Sequence, residues 1–292
     1  MAGETVRGRA AMETLALRFP QLYVAPSEDA QEAHALAARR GIPPADANLD
    51  HFASGPDDEL CVVDTPAGPI ETLFLSRRGD FETLLRIVGH RARPVPIART
   101  IGAITYKGLP DWGAVAAARS AYLASGGDDW ASEFSRLARQ PGSFRAELVV
   151  ISEGPYSNIP AGSTAYDEDE WLRVSRAIRL YHECAHVVCR RIMPEDVLPV
   201  WDEVTADMVG LVCATGTYDA ALASLFLGVT ADGYAGGRIV EYLSDDQVAG
   251  IDVLSREVHD ACRRIRQIAG PEELSHPFDF LLDLKRNPFI AY

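Results

Sequence analysis

The chain has 292 residues, 47% of them hydrophobic, and a mean hydropathy of −0.05, which suffices for one large domain or two packed subdomains. A formal net charge of −14 and a pI of about 4.9 oppose binding along a phosphate backbone, which requires a basic surface, so nucleic acid is not expected as a partner. Five cysteines, at 61, 184, 189, 213 and 262, are odd in number and lack a Cys-x-x-Cys pair, so neither a disulfide framework nor a four-thiolate zinc knuckle is indicated.

Met1 to Ala11 is polar and mixed in charge, without an apolar h-region or a small-residue cleavage site, so the expected location is the reducing cytoplasm. Leu60–Val63 and Ile70–Leu75 flank a Pro-Ala-Gly turn at 66–68 and predict a β-hairpin. Phe81 to His90 has helical spacing through Leu84, Leu85 and Val88, and Ile97 to Lys107 is read as a strand. Trp112 to Ala124 and Trp130 to Arg139 predict helices, separated by Gln140-Pro141-Gly142 from Ala146–Ile151, the best strand signal in the chain.

Beyond that strand the pattern becomes helical. After a Pro/Ser/Asn/Gly loop at 154–163, Asp167 predicts an N-cap with Glu170 as its capping-box partner. Trp171, Val174, Ile178, Tyr181, Ala185, Val188 and Ile192 then recur at steps of three and four, a buried stripe on a helix that ends before Pro194. On this reading Arg173, Arg176, Arg179, Arg190 and Arg191 form its wet side. A second helix is expected from Pro199 to about Ala214, and others over 219–227, 247–268 and 272–284. The apolar stretch from Ala220 to Val229 is bracketed by Asp219 and Asp232 and falls short of the roughly 20 residues of a membrane span, so no membrane partner is expected. Gly233 to Gly237 lacks the strand-turn-helix setting of a phosphate loop and is read as a site of close backbone packing.

The first of these C-terminal helices carries His182-Glu183-Cys184-Ala185-His186. Histidines four residues apart on a helix project about 40° from one another, so both imidazoles leave one face and reach one metal ion. Glu203 follows, then Asp207 one turn later. A hydrolytic zinc ion takes three protein ligands and keeps a position for water, and His182, His186 and Glu203 supply that count for one Zn2+. Glu183, beside the first ligand, is the candidate general base. Ligating imidazoles donate their other N–H to a carboxylate or carbonyl, and Asp207 is the candidate partner. Tyr234, Arg238, Tyr242 and His259 all lie downstream as donors for a developing oxyanion; spacing does not choose among them, and His259 is taken as the candidate.

Alternatives stand beside these roles. Asp202, Glu195, Asp196 or Glu241 is the alternative third ligand, a salt bridge to Arg190 or Arg191 is the alternative use of Asp207, and an ordinary surface or capping histidine is the alternative for His259. Cys184 and Cys189 are read as core thiols, His276 as a loop residue, and the Tyr156–Pro160 loop either as a wall of the cleft or as a plain connector. Nitrogen and oxygen donors of this kind also accept cobalt, manganese or nickel.

His182-Glu183-x-x-His186 followed by Glu203-x-x-x-Asp207 resembles the gluzincin group of zinc metallopeptidases, the thermolysin-like enzymes. The resemblance covers about 60 residues, from 146 to 207, and implies the same roles for Glu183, Glu203 and Asp207. It also implies a sheet beside the active-site helix whose edge strand, Ala146 to Glu153, holds an extended substrate. The short interval from His186 to Glu203 requires the segment with Pro194 and Pro199 to turn tightly.

The expected architecture is α+β: a small mixed subdomain over 1–110 with a sheet, packed on a mainly helical zincin-like part over 111–292, with the zinc cleft between them. The expected activity is hydrolysis of an amide, in a peptide or a small amide substrate. A zinc enzyme for a small molecule or biosynthetic intermediate, or a non-enzymatic module stapled by zinc, is the alternative.

Overall fold

In the computed structural model, which describes residues 5–193 and 199–286, one sheet gathers Val6–Arg7 (β1), Glu59–Val63 (β2), Ile70–Leu75 (β3), Ala103–Pro110 (β4) and Arg145–Ser152 (β5) in the order β1-β2-β3-β5-β4. The chain is therefore mixed α+β. The hairpin strands expected at 60–63 and 70–75 are present as neighbours, across a turn in which Gly68 N–H donates to Thr65 O at 2.9 Å. Strand β5 is parallel to β3 and antiparallel to β4. Residues 146–152 are thus an interior strand, contrary to the expected edge. Both of the strand's sides are taken by β3 and β4, so it has no open side to pair with an extended substrate.

Around this sheet are Arg9–Arg18 (α1), Gln31–Arg40 (α2), Arg78–His90 (α3), Trp112–Ala124 (α4) and Trp130–Leu137 (α5). Helices α1 and α2 are not marked in the sequence because half of their buried positions are alanine, beside Met12, Leu15 and His34, which gives little apolar contrast. Strand β4 begins six residues later than expected, because its start is set by the pairing of Ala103 with Ile151. Alternate residues of β3 and β5, namely Leu73, Leu75, Leu148 and Val150, join Met12, Leu15, Phe19, Phe81 and Leu84 in one core.

The compact units are residues 1–63 with 71–152, and residues 64–70 with 153–292. The expected boundary at 110 is corrected to 152. The β4–β5 pairing ties the chain between them, α4 and α5 included, to the sheet. The excursion at 64–70 belongs with the second unit, where Arg191 Nη1 donates to Pro69 O at 3.0 Å.

The second unit holds Glu168–Ile192 (α6), Pro199–Thr215 (α7), Ala220–Leu227 (α8), a small hairpin of Val229–Thr230 (β6) and Gly233–Tyr234 (β7), Asp245–Val248 (α9), Ile251–Ile268 (α10), Pro271–Ser275 (α11) and Pro277–Arg286 (α12). The long helices expected over 247–268 and 272–284 are each broken. The first is interrupted at Ala249-Gly250 and the second at His276, whose backbone is driven out of the helical region by Pro277. A separate core collects Trp171, Ile178, Val204, Met208, Phe226, Val258, Ile265 and Leu281. Among the described residues no helix is long and apolar enough to cross a membrane. The expected tight turn at Pro194, and the alternative ligands Glu195 and Asp196, lie outside the described residues.

Candidate metal centre

Helix α6 starts where expected. Asp167 caps it by accepting from Glu170 N–H at 2.8 Å, three acidic residues occupy its first turn, and Arg190 and Arg191 occupy its last, each complementing the helix dipole. The apolar stripe turns inward through Trp171, Ile178, Ala185 and Val188, whereas Ile192 in the last turn is exposed. Arg179 corrects the wet-side reading. It is only 7% exposed, and its guanidinium donates to the carbonyls of Gly154 and Pro155, both at 3.3 Å.

Helix α7 packs against α6 by one face. Glu203 meets His186 and His182, Asp207 meets His182, and a Cβ placed on Gly210 would come 2.7 Å from Ile178 O. Positions 203, 207 and 210 lie on one helical stripe, and their partners run backward along α6, so the two helices are antiparallel. Gly210 leaves room there for the backbone of α6, which a side chain would fill.

The predicted triad is assembled. His186 Nε2 lies 3.0 Å from His182 Nε2 and 3.2 Å from Glu203 Oε1, and His182 Nε2 lies 3.4 Å from Glu203 Oε2. Nitrogen and oxygen ligands about 2.1 Å from a tetrahedral zinc ion lie about 3.4 Å from one another, so the spacing suits such an ion. All three side chains are largely buried.

The far side of each ring is held. His182 Nδ1–H donates to Asp207 Oδ1 at 2.9 Å, as expected, and His186 Nδ1–H donates to Asp202 Oδ2 at 2.7 Å. With both Nδ1 protons so directed, the two Nε2 lone pairs and a carboxylate converge on one point. At most one proton fits between the facing nitrogens. A divalent cation satisfies all three donors at once, and the donor set of two imidazoles and one carboxylate is one that zinc accepts. Asp202, an alternative third ligand in the sequence, supports a histidine instead.

Buried cations hold these carboxylates in turn. Arg238 Nη2 donates to Asp207 Oδ2, and its Nη1 to Glu203 Oε2 at 3.3 Å and to the Tyr242 hydroxyl at 3.1 Å. Lys285 Nζ donates to Asp202 Oδ1. Arg238, rather than Arg190 or Arg191, is thus the cationic partner of Asp207. Burial alone would push Glu203 and Asp207 up, but His182 and Arg238 respectively are the leading influences that hold these carboxylates below their usual range. Burial pulls His186 down, yet its hydrogen bonds to Asp202 and Glu203 outweigh this and raise it to about 10.

Tyr156 is a part of the centre that the sequence did not single out. Its O–H donates to Asp207 Oδ1 at 2.6 Å and sits 2.9 Å from His182 Nδ1. The ring packs edge-on to Phe226 at 4.7 Å, and its N–H donates to Ser175 Oγ. The 156–160 loop is therefore a wall of the site rather than a plain connector. Its only sequence signal is position, directly between the best strand and the motif helix.

Arg238 reaches the centre because Gly237 packs on Gly228 at the end of α8, where a Cβ on Gly237 would come 2.6 Å from Gly228 Cα. This bears out close backbone packing at Gly237, whereas a Cβ on Gly236 would meet nothing within 4 Å. Glu183 is half-buried on α6, on a flank about 60° from His186, and is not one of the three converging donors. His259 lies on α10 with Nδ1 buried and without a hydrogen-bond partner, and no hydrogen bond or ion pair described for the triad reaches it. Cys184 and Cys189 are buried, as read from the sequence.

Residues 7–275 match the family described as "Family of unknown function (DUF7005)". The chain belongs to this family. No curated protein and no solved structure matches it.

Proposed function

We propose that the protein is a zinc-dependent hydrolase of zincin-like arrangement that cleaves an amide bond, in a peptide or a small amide. The observation that carries the reading is the convergence of His182 Nε2, His186 Nε2 and Glu203 on one point, with the two neighbouring aspartates turned to the outer ring nitrogens. Structural zinc sites take four protein ligands and catalytic ones three, and the cluster found among the described residues has three. The count favours a catalytic site over a stapled module.

Bound there by His182, His186 and Glu203, zinc would supply Lewis acidity and a water of lowered pKa. The chain's own residues do the rest. Asp207 and Asp202 hold each imidazole in the tautomer whose Nε2 faces inward. Arg238 keeps Asp207 ionised and hydrogen-bonds Glu203, and Glu183 takes the proton of the attacking water and delivers it to the departing nitrogen.

The test is Glu183→Gln in the zinc-loaded protein, assayed beside the parent against peptide libraries and small amides. We expect the variant to keep zinc and fold while losing roughly 100-fold or more in turnover, the usual scale of a general base. Parent-like turnover in the variant would remove Glu183 as the base. No hydrolysis by the parent, combined with unfolding on chelation, would instead favour the stapled module.

A further inference from the structure

We propose that Lys285 is a positioning residue of the metal centre, so that the C-terminal helix α12 is part of the metal-binding machinery. This rests on the metal-centre reading above. The side chain of Lys285 is 4% exposed, although a lysine in the last turn of a helix ordinarily extends into water. Its ammonium is spent on one oxygen of Asp202, and the other oxygen of that carboxylate receives His186 Nδ1–H at 2.7 Å. Asp202 is itself 31% exposed and, with one oxygen released, is able to rotate toward solvent and loosen its hold on the ring.

The other histidine shows the same construction. Asp207 gives one oxygen to His182 and the other to Arg238. Each ligating imidazole is thus fixed by a carboxylate that is fixed by a buried cation. The cations come from distant parts of the chain: Arg238 from the turn after β7, and Lys285 from α12, 83 residues beyond Asp202. Phe280, Leu281 and Leu284 seat α12 in the second core, against α6 and α7. Where that helix sits decides where the ammonium sits.

The experiment measures zinc affinity of the full chain by competition with a chromophoric chelator, and the visible absorption of the cobalt-substituted protein as a readout of ligand geometry. We expect Lys285→Met to bind zinc about tenfold more weakly, the lower end of what loss of an outer partner costs, with an altered cobalt spectrum, and Lys285→Arg to restore most of the affinity. In an Asp202→Asn background, Lys285→Met should cause no further loss, because the carboxylate through which it acts is gone. Should Lys285→Met fail to fold, Lys285→Gln is read in the same cycle. Parent-like zinc affinity and spectrum in the lysine variant, or losses that simply add in the double variant, would overturn the proposal and leave the metal centre standing. A parent protein that binds no zinc would overturn both.

Discussion

At the site, each side chain does one task set by its neighbours. Tyr156 O–H and His182 Nδ1–H share Asp207 Oδ1, so the aspartate keeps an anionic acceptor aimed at the ring. Asp207→Asn replaces that acceptor with an amide that pairs less well with the ring and with Arg238. We expect zinc affinity to fall 10- to 100-fold, roughly the effect of losing such a partner, and equilibrium dialysis against graded zinc checks it. His182→Ala, His186→Ala and Glu203→Ala each remove a ligand and should leave less than stoichiometric metal after dialysis; full occupancy in any of them would take that residue out of the site. The two histidines and Glu183 are legible in the sequence because their relation is local to one helix. Tyr156 and Lys285 are not, since nothing within a few residues of either distinguishes it from an ordinary core tyrosine or surface lysine.

Helices α6 and α7 act as one element. Their antiparallel contact brings Glu203 and Asp207 to the histidines, and Gly210 permits the approach. Gly210→Ala places a methyl group against the carbonyl of Ile178, a backbone atom that cannot swing aside. Overpacking of this kind costs about 1–3 kcal/mol, and the helices must part at the level of the site. We expect both a lower midpoint in urea and weaker zinc binding; a variant as stable as the parent would show that the contact has slack. The periodicity of α6 and the Glu203-x-x-x-Asp207 spacing of α7 make both helices legible. Their closeness is not, because a glycine inside a helical pattern is equally a weak point or a packing notch until the facing backbone is known.

In the molecule as a whole, the ionisable groups of the proposed metal centre are expected to tie stability to pH in opposite ways with and without metal. In metal-free protein, Asp202, Glu203 and Asp207 are held below their usual range, so their contribution is present above about pH 4 and is lost as pH falls through their lowered values. His186 is raised to about 10, so its contribution is complete below the unfolded value of about 6.5 and is lost as pH rises toward 10. Zinc requires the imidazoles neutral, and its binding releases their protons. Thermal melting from pH 6 to 8.5 should therefore show chelator-treated protein losing stability while the increment added by zinc grows. An increment that shrinks with rising pH would argue against histidine ligation.

Local sequence by itself determined what depends on near neighbours: the motif helix with its cap, the face carrying both histidines, the pairing of Glu203 with Asp207, and the strands at 60–63, 70–75 and 146–151. Such features follow from backbone geometry and from the period of apolar burial. Only the tertiary structure decided that β5 lies inside its sheet, that the compact units part at 152, and that Arg238 and Lys285 come back across the chain to hold the carboxylates. Those outcomes depend on which surfaces the folded chain brings face to face, and contacts between residues this far apart leave no periodic mark in the sequence.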